Sequence, residues 1–97
     1  MKYESDLYKE YATKLAEAAN TSGVKETECW DLMKELQHVI DRTESHPGWH
    51  TFKHGAPDPK LTKEERKARL EQAVNEFNAA YDQCINAASP IGDGVGP

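Results

Sequence analysis

Between Leu70 and Ile85 the side chains Leu70, Ala73, Val74, Phe77, Ala80, Tyr81, Cys84 and Ile85 recur with a helical period. Strand side chains alternate every second residue, so this spacing commits the segment to an amphipathic helix. Its start is marked by Thr62 and Glu65, three residues apart, the pattern of a capping box. Its end is marked by Ser89-Pro90, because the residue before proline avoids helical dihedrals. A helix so bounded holds about 26 residues and runs ~39 Å at 1.5 Å each. In a chain of 97 residues such a rod dictates the architecture. Shorter helices must cover its apolar stripe, and one end projects past them or meets another chain. Its first turns carry Lys63, Glu64, Glu65, Arg66, Lys67, Arg69 and Glu71, a mixed-charge, solvated face.

Two shorter helical patterns precede it. The first spans about Ser5 to Asn20. Tyr3, Leu7, Tyr11 and Leu15 repeat every four residues, Tyr8, Ala12 and Ala16 widen the stripe, and Ala18 and Ala19 extend it. Ser5 is the expected N-cap, with Asp6 in the first turn. Asn20-Thr21-Ser22-Gly23 stops the helix, and Gly23 is the candidate for a left-handed position. The second spans about Thr27 to Thr43, with Thr27 as expected cap. Cys29, Met33, Leu36 and Ile40 form one row, and Leu32, Leu36, Val39 and Thr43 the next. Glu44-Ser45-His46-Pro47-Gly48 ends it. No alternating strand pattern or repeat is found. The expected fold is all-α: a three-helix antiparallel bundle, with room for a fourth short helix within 49–54. The expected core is Leu7, Tyr11, Leu15, Met33, Leu36, Ile40, Leu70, Val74, Phe77, Tyr81 and Cys84. Residues 1–89 form one helical domain in this reading, and the glycine-rich residues 90–97 a disordered tail.

Composition narrows the function classes. Hydrophobic residues make up 37% of the chain, enough for one modest core. No apolar run approaches the ~20 residues of a membrane span. The opening Met-Lys-Tyr-Glu-Ser-Asp lacks the pattern of a signal peptide, so a cytoplasmic protein is expected. Seventeen acidic against twelve basic residues leave a net charge of −5. That argues against direct binding to a nucleic-acid backbone, which needs a basic stripe, and suits a basic protein partner. Within residues 24–45, Glu26, Glu28, Asp31, Glu35, Asp41 and Glu44 stand against Lys25, Lys34 and Arg42, six against three. Cys29 and Cys84 are 55 residues apart, with no metal-knuckle spacing. Two reduced, buried thiols are the default for a cytoplasmic chain, with a bridge between them as the alternative.

Residues 45–60 are long for a helix–helix connection and hold Trp49, Phe52, His46, His50 and His54. One reading is a plug, in which both rings close the open end of the bundle and bury roughly 150–250 Å² each. A second is a recognition loop, with the rings as anchors beside His50, Lys53 and His54. A third is a metal site on the histidines, but Pro47-Gly48 breaks their helical alignment and no carboxylate stands at ligand spacing. No metal or cofactor is therefore expected. No phosphate loop, nucleophile elbow or HExxH motif occurs, so a non-enzymatic protein is expected. Tyr3, Tyr8, Tyr11 and Trp30 could also line a groove in which Lys14 or Lys25 meets a phosphate. That is the basis of a second reading, a homo-oligomeric nucleotide sponge or sensor.

The order of features over about residues 6–65 resembles the nuclease-colicin immunity proteins. An acidic amphipathic helix opens near Asp6. A second acidic helix ends in Asp41-Arg-Thr-Glu44-Ser-His46-Pro47-Gly48, similar to that family's Thr-Glu-His-Pro-x-Gly stretch with Ser45 inserted. The resemblance implies a small helical inhibitor of a DNase bacteriocin, with specificity on the second helix and shared contacts just after His-Pro. By position, Glu28, Asp31 and Glu35, and the stretch from Trp49 through His50, Phe52 and Lys53 to His54, take those roles. The family's Tyr-Tyr-Pro element is absent; His50-Thr-Phe-Lys-His-Gly stands near its place, the aspartate after the glycine is missing and the last helix is longer. The expected function is an acidic binding protein that neutralises a basic, nucleic-acid-handling partner. It could be immunity-like or a phage-encoded inhibitor.

Overall fold

The structure is a computed structural model and describes residues 3–45, 47, 49 and 61–88. Three helices appear among them and no strand: α1 (Glu4–Ala19), α2 (Glu26–Glu44) and α3 (Lys63–Ala87). The all-α class follows. The fourth short helix and the tail at 90–97 lie outside the described residues.

Side-chain hydrogen bonds mark the starts of two of the three helices. At α3 the expected capping box is present: Glu65 N–H donates to Thr62 Oγ1 at 3.0 Å, and Thr62 N–H donates to Glu65 Oε1 at 3.2 Å. α1 starts earlier than its polar signals suggest. Tyr3, not Ser5, is the N-cap, because Asp6 Oδ2 accepts the Tyr3 N–H at 3.3 Å. α2 likewise starts at Glu26 with Lys25 as N-cap and without a side-chain cap. The reason lies one residue upstream: Val24 is 2% exposed. Its burial pins the chain just ahead of the helix, so Thr27 falls inside the first turn. Gly23 has φ +78°, the left-handed conformation that glycine adopts without steric cost.

The core is built from one row per helix. α1 contributes Leu7, Tyr11 and Leu15, α2 Cys29, Leu36 and Ile40, and α3 Ala73, Phe77, Ala80 and Cys84, with Val24 from the α1–α2 turn. Leu32, Val39, Tyr81 and Ile85 pack half-buried around them. Leu70, Val74 and Tyr81, expected in the core, are half-buried at its margin. Met33 departs further, at 37% exposure. The buried strip of α2 leans toward Leu32 and Val39, which leaves Met33 on the outer flank.

Three contacts tie the helices together. Tyr8 and Phe77 join α1 to α3 edge to face, with ring centroids 5.6 Å apart. The Tyr11 hydroxyl donates to Glu35 Oε1 at 2.8 Å, joining α1 to α2. Cys29 and Cys84 join α2 to α3 as a disulfide, Cα to Cα 6.0 Å. The expectation of two reduced thiols is corrected here. Each cysteine occupies the buried row of its helix, and helix packing brings the rows within bonding range. The molecule is elongated, 57 × 25 × 17 Å. On α3 the first buried residue is Ala73, so its first ten residues carry no fully buried side chain.

Candidate functional site

On a helix, residues three and four apart share a face. Glu28, Asp31 and Glu35 follow that spacing along α2, and all three are exposed. His38 continues the row, also exposed. Asp31, Lys34, Glu35, Gln37 and His38 line a shallow, open depression on this face. Glu28, Asp31 and Glu35 thus share one exposed side of α2, with Lys34 and His38 beside them.

Glu35 has a second use. Its Oε1 accepts the hydroxyl of Tyr11, whose ring is 3% exposed. Burial, and then the hydrogen bond to Glu35, push the Tyr11 hydroxyl up to about 12: removing its proton would strand an anion among apolar neighbours beside a carboxylate. Lys14 Nζ sits 4.5 Å from the centre of the same ring and 3.8 Å from Glu10 Oε2. Tyr8 is also raised, by burial first and then by the carboxylates of Glu4 and Glu44. These engagements bear on the nucleotide-groove idea. Tyr8 and Tyr11 are occupied in packing between α1 and its neighbours, Lys14 lies over Tyr11 and beside Glu10 on α1 itself, and Trp30 is half-buried on α2.

Trp49 lies five residues beyond the last residue of α2 and is 38% exposed, so it is not wholly enclosed as a plug. His50, Phe52, Lys53 and His54, and His46 of the histidine series, lie outside the described residues. Among the described residues no three histidine, cysteine or carboxylate side chains group closely enough to hold a metal ion, and no helix is long and apolar enough to cross a membrane. The sequence reading missed Val24 and the bond between Tyr11 and Glu35. An isolated valine after a glycine carries no periodic signal, and a pair 24 residues apart leaves no trace in local spacing. No known family, no curated protein and no solved structure matches the chain.

Proposed function

We propose that the protein is a small, acidic, non-enzymatic binding protein that docks on and inhibits a basic, nucleic-acid-handling partner, in the manner of an immunity protein or a phage-encoded inhibitor. The observation that carries this reading is the exposed row of Glu28, Asp31 and Glu35 on one face of α2, with Trp49 exposed a few residues beyond its end. The carboxylates steer a basic surface into encounter over roughly one Debye length, about 8–10 Å at physiological salt. The indole then supplies a compact apolar anchor of the kind that dominates binding energy. His50, Phe52, Lys53 and His54 complete the face in this proposal. An antiparallel three-helix bundle would present it: Tyr11 and Glu35 stand equally far from Gly23 in sequence and touch, as in a helical hairpin. Neither a membrane nor a nucleic-acid backbone suits a partner for a surface of this charge.

The proposed place of action is the cytoplasm, where nucleic-acid-handling proteins work. The bond between Cys29 and Cys84 stands against that compartment, which keeps thiols reduced. Thiol trapping of the protein in its native cells decides the point: free thiols support the cytoplasm, and a bonded pair supports an oxidising compartment.

The experiment is capture from host lysate at low and high salt, followed by a nuclease assay on the captured partner. Wild-type protein is compared with Asp31→Lys and Trp49→Ala. The expected result is a basic partner whose activity the wild type suppresses, with capture weakened by salt and by both substitutions. Capture indifferent to ionic strength and to Trp49→Ala rejects the reading.

A further inference from the structure

We infer that the Cys29–Cys84 bond is a redox latch on α2, and therefore on the acidic face that α2 carries. The inference that the face is regulated rests on the function proposed above; the latch itself does not. α2 is held by few buried side chains. Its three buried side chains are Cys29, Leu36 and Ile40, so in its first ten residues Cys29 is the one fully buried anchor. Leu32 is half-buried nearby and Met33 is 37% exposed. The helix start has no side-chain cap, so its first N–H groups gain nothing from the usual Ser, Thr, Asp or Asn oxygen. Val24 holds the turn ahead of it, and the Tyr11–Glu35 hydrogen bond holds its middle. Between those two points the attachment of α2 to α3 depends on the sulfur bridge. Glu28 and Asp31, two of the three carboxylates of the face, lie on this same stretch, either side of Cys29.

α1 and α3 need no such tie. Leu7, Tyr11 and Leu15 on one and Ala73, Phe77 and Ala80 on the other are buried at regular helical intervals, and Tyr8 meets Phe77 ring to ring. Opening the bridge should therefore loosen α2 preferentially. The chemistry balances as a thiol–disulfide exchange. On closing, each cysteine loses a hydrogen as the Sγ–Sγ bond forms. The two electrons and two protons pass to a small-molecule disulfide such as oxidised glutathione, which leaves as two thiols. On opening, a reductant thiolate attacks one Sγ, and the other leaves as thiolate and takes a proton. A second reductant thiolate then displaces the remaining cysteine from the mixed disulfide, and it too takes a proton. Both cysteines are 0% exposed, so attack waits on an opening of the first turns of α2, the same motion that the latch restrains.

Backbone hydrogen exchange on the full chain, without a partner, tests the latch separately from the binding function. Three samples are compared: oxidised protein, protein reduced with a dithiol, and the double variant Cys29→Ala with Cys84→Ala. The intact oxidised chain should be lighter than the reduced chain by two hydrogens. On reduction, the amides of residues 26–44 should exchange faster by roughly tenfold more than those of α1 and α3, and the double variant should show the same pattern. Equal acceleration in all three helices, no acceleration, or two free thiols after purification in air overturns the proposal. If the double variant does not fold, the reduced wild type decides alone; loss of all three helices together on reduction also overturns it. Failure of the capture experiment with a positive exchange result leaves the latch standing and removes the function.

Discussion

Tyr11 is where a single side chain does most to join the elements. Its ring fills the core, its hydroxyl donates to Glu35, and Lys14 covers its face. The sequence showed the ring as one member of an apolar row, which the structure bears out. It did not show the hydroxyl's partner, because that partner is chosen by packing between helices and not by neighbours along the chain. Tyr11→Phe keeps the ring and removes the bond, and should destabilise the protein by about 1 kcal/mol, the usual worth of such a hydrogen bond with one partner near solvent. The hydroxyl also makes stability depend on alkaline pH. Its folded value, about 12, lies above the ordinary value of 10.0, so the unfolded chain loses its proton first. The stabilisation is whole below pH 10 and fades as pH rises toward 12. Denaturant midpoints measured across that range should fall more steeply for wild type than for Tyr11→Phe. Some slope should remain in the variant, because Tyr8 is raised in the same direction.

At the scale of an element, α2 is the helix with the proposed task. Its two apolar rows were legible in the sequence, and the row expected in the core is the buried one except at Met33, whose exposure was not legible. Cys29, Met33, Leu36 and Ile40 satisfy a helical stripe as well as Leu32, Leu36, Val39 and Thr43 do. Only the placement of α1 and α3 buries Cys29, Leu36 and Ile40, sets Leu32 and Val39 half-buried beside them and leaves Met33 outside. The pair Leu36→Ala and Met33→Ala measures this rotation. Leu36, 2% exposed, should cost about 2–5 kcal/mol on truncation, the range for a buried leucine. Met33→Ala should stay within about 0.5 kcal/mol, as surface changes do. Comparable losses from the two in urea unfolding would mean that Met33 is core after all. With the helix so turned, Glu28, Asp31 and Glu35 are exposed, and Glu35 also reaches the hydroxyl of Tyr11. His50, Phe52, Lys53 and His54, the other residues of the expected binding face, lie outside the described residues.

For the whole molecule the covalent tie between distant parts of the chain matters most. Cys29 and Cys84 are 55 residues apart, and closing a loop of that size removes unfolded-state entropy worth about 4 kcal/mol in the chain-entropy description. Reduction should therefore lower the melting temperature by roughly 15–25 °C for a domain near 100 residues. A calorimetric shift of less than a few degrees would show that the bridge contributes little beyond the packing of its two side chains. Periodicity and capping chemistry are local, acting over three or four residues. They sufficed to specify three helices, the long rod beginning after Thr62 and the left-handed turn at Gly23. Pairing between helices acts over tens of residues and depends on which faces meet in space. That is why the disulfide, the Tyr11–Glu35 bond, the burial of Val24 and the exposure of Met33 were settled only by the tertiary structure.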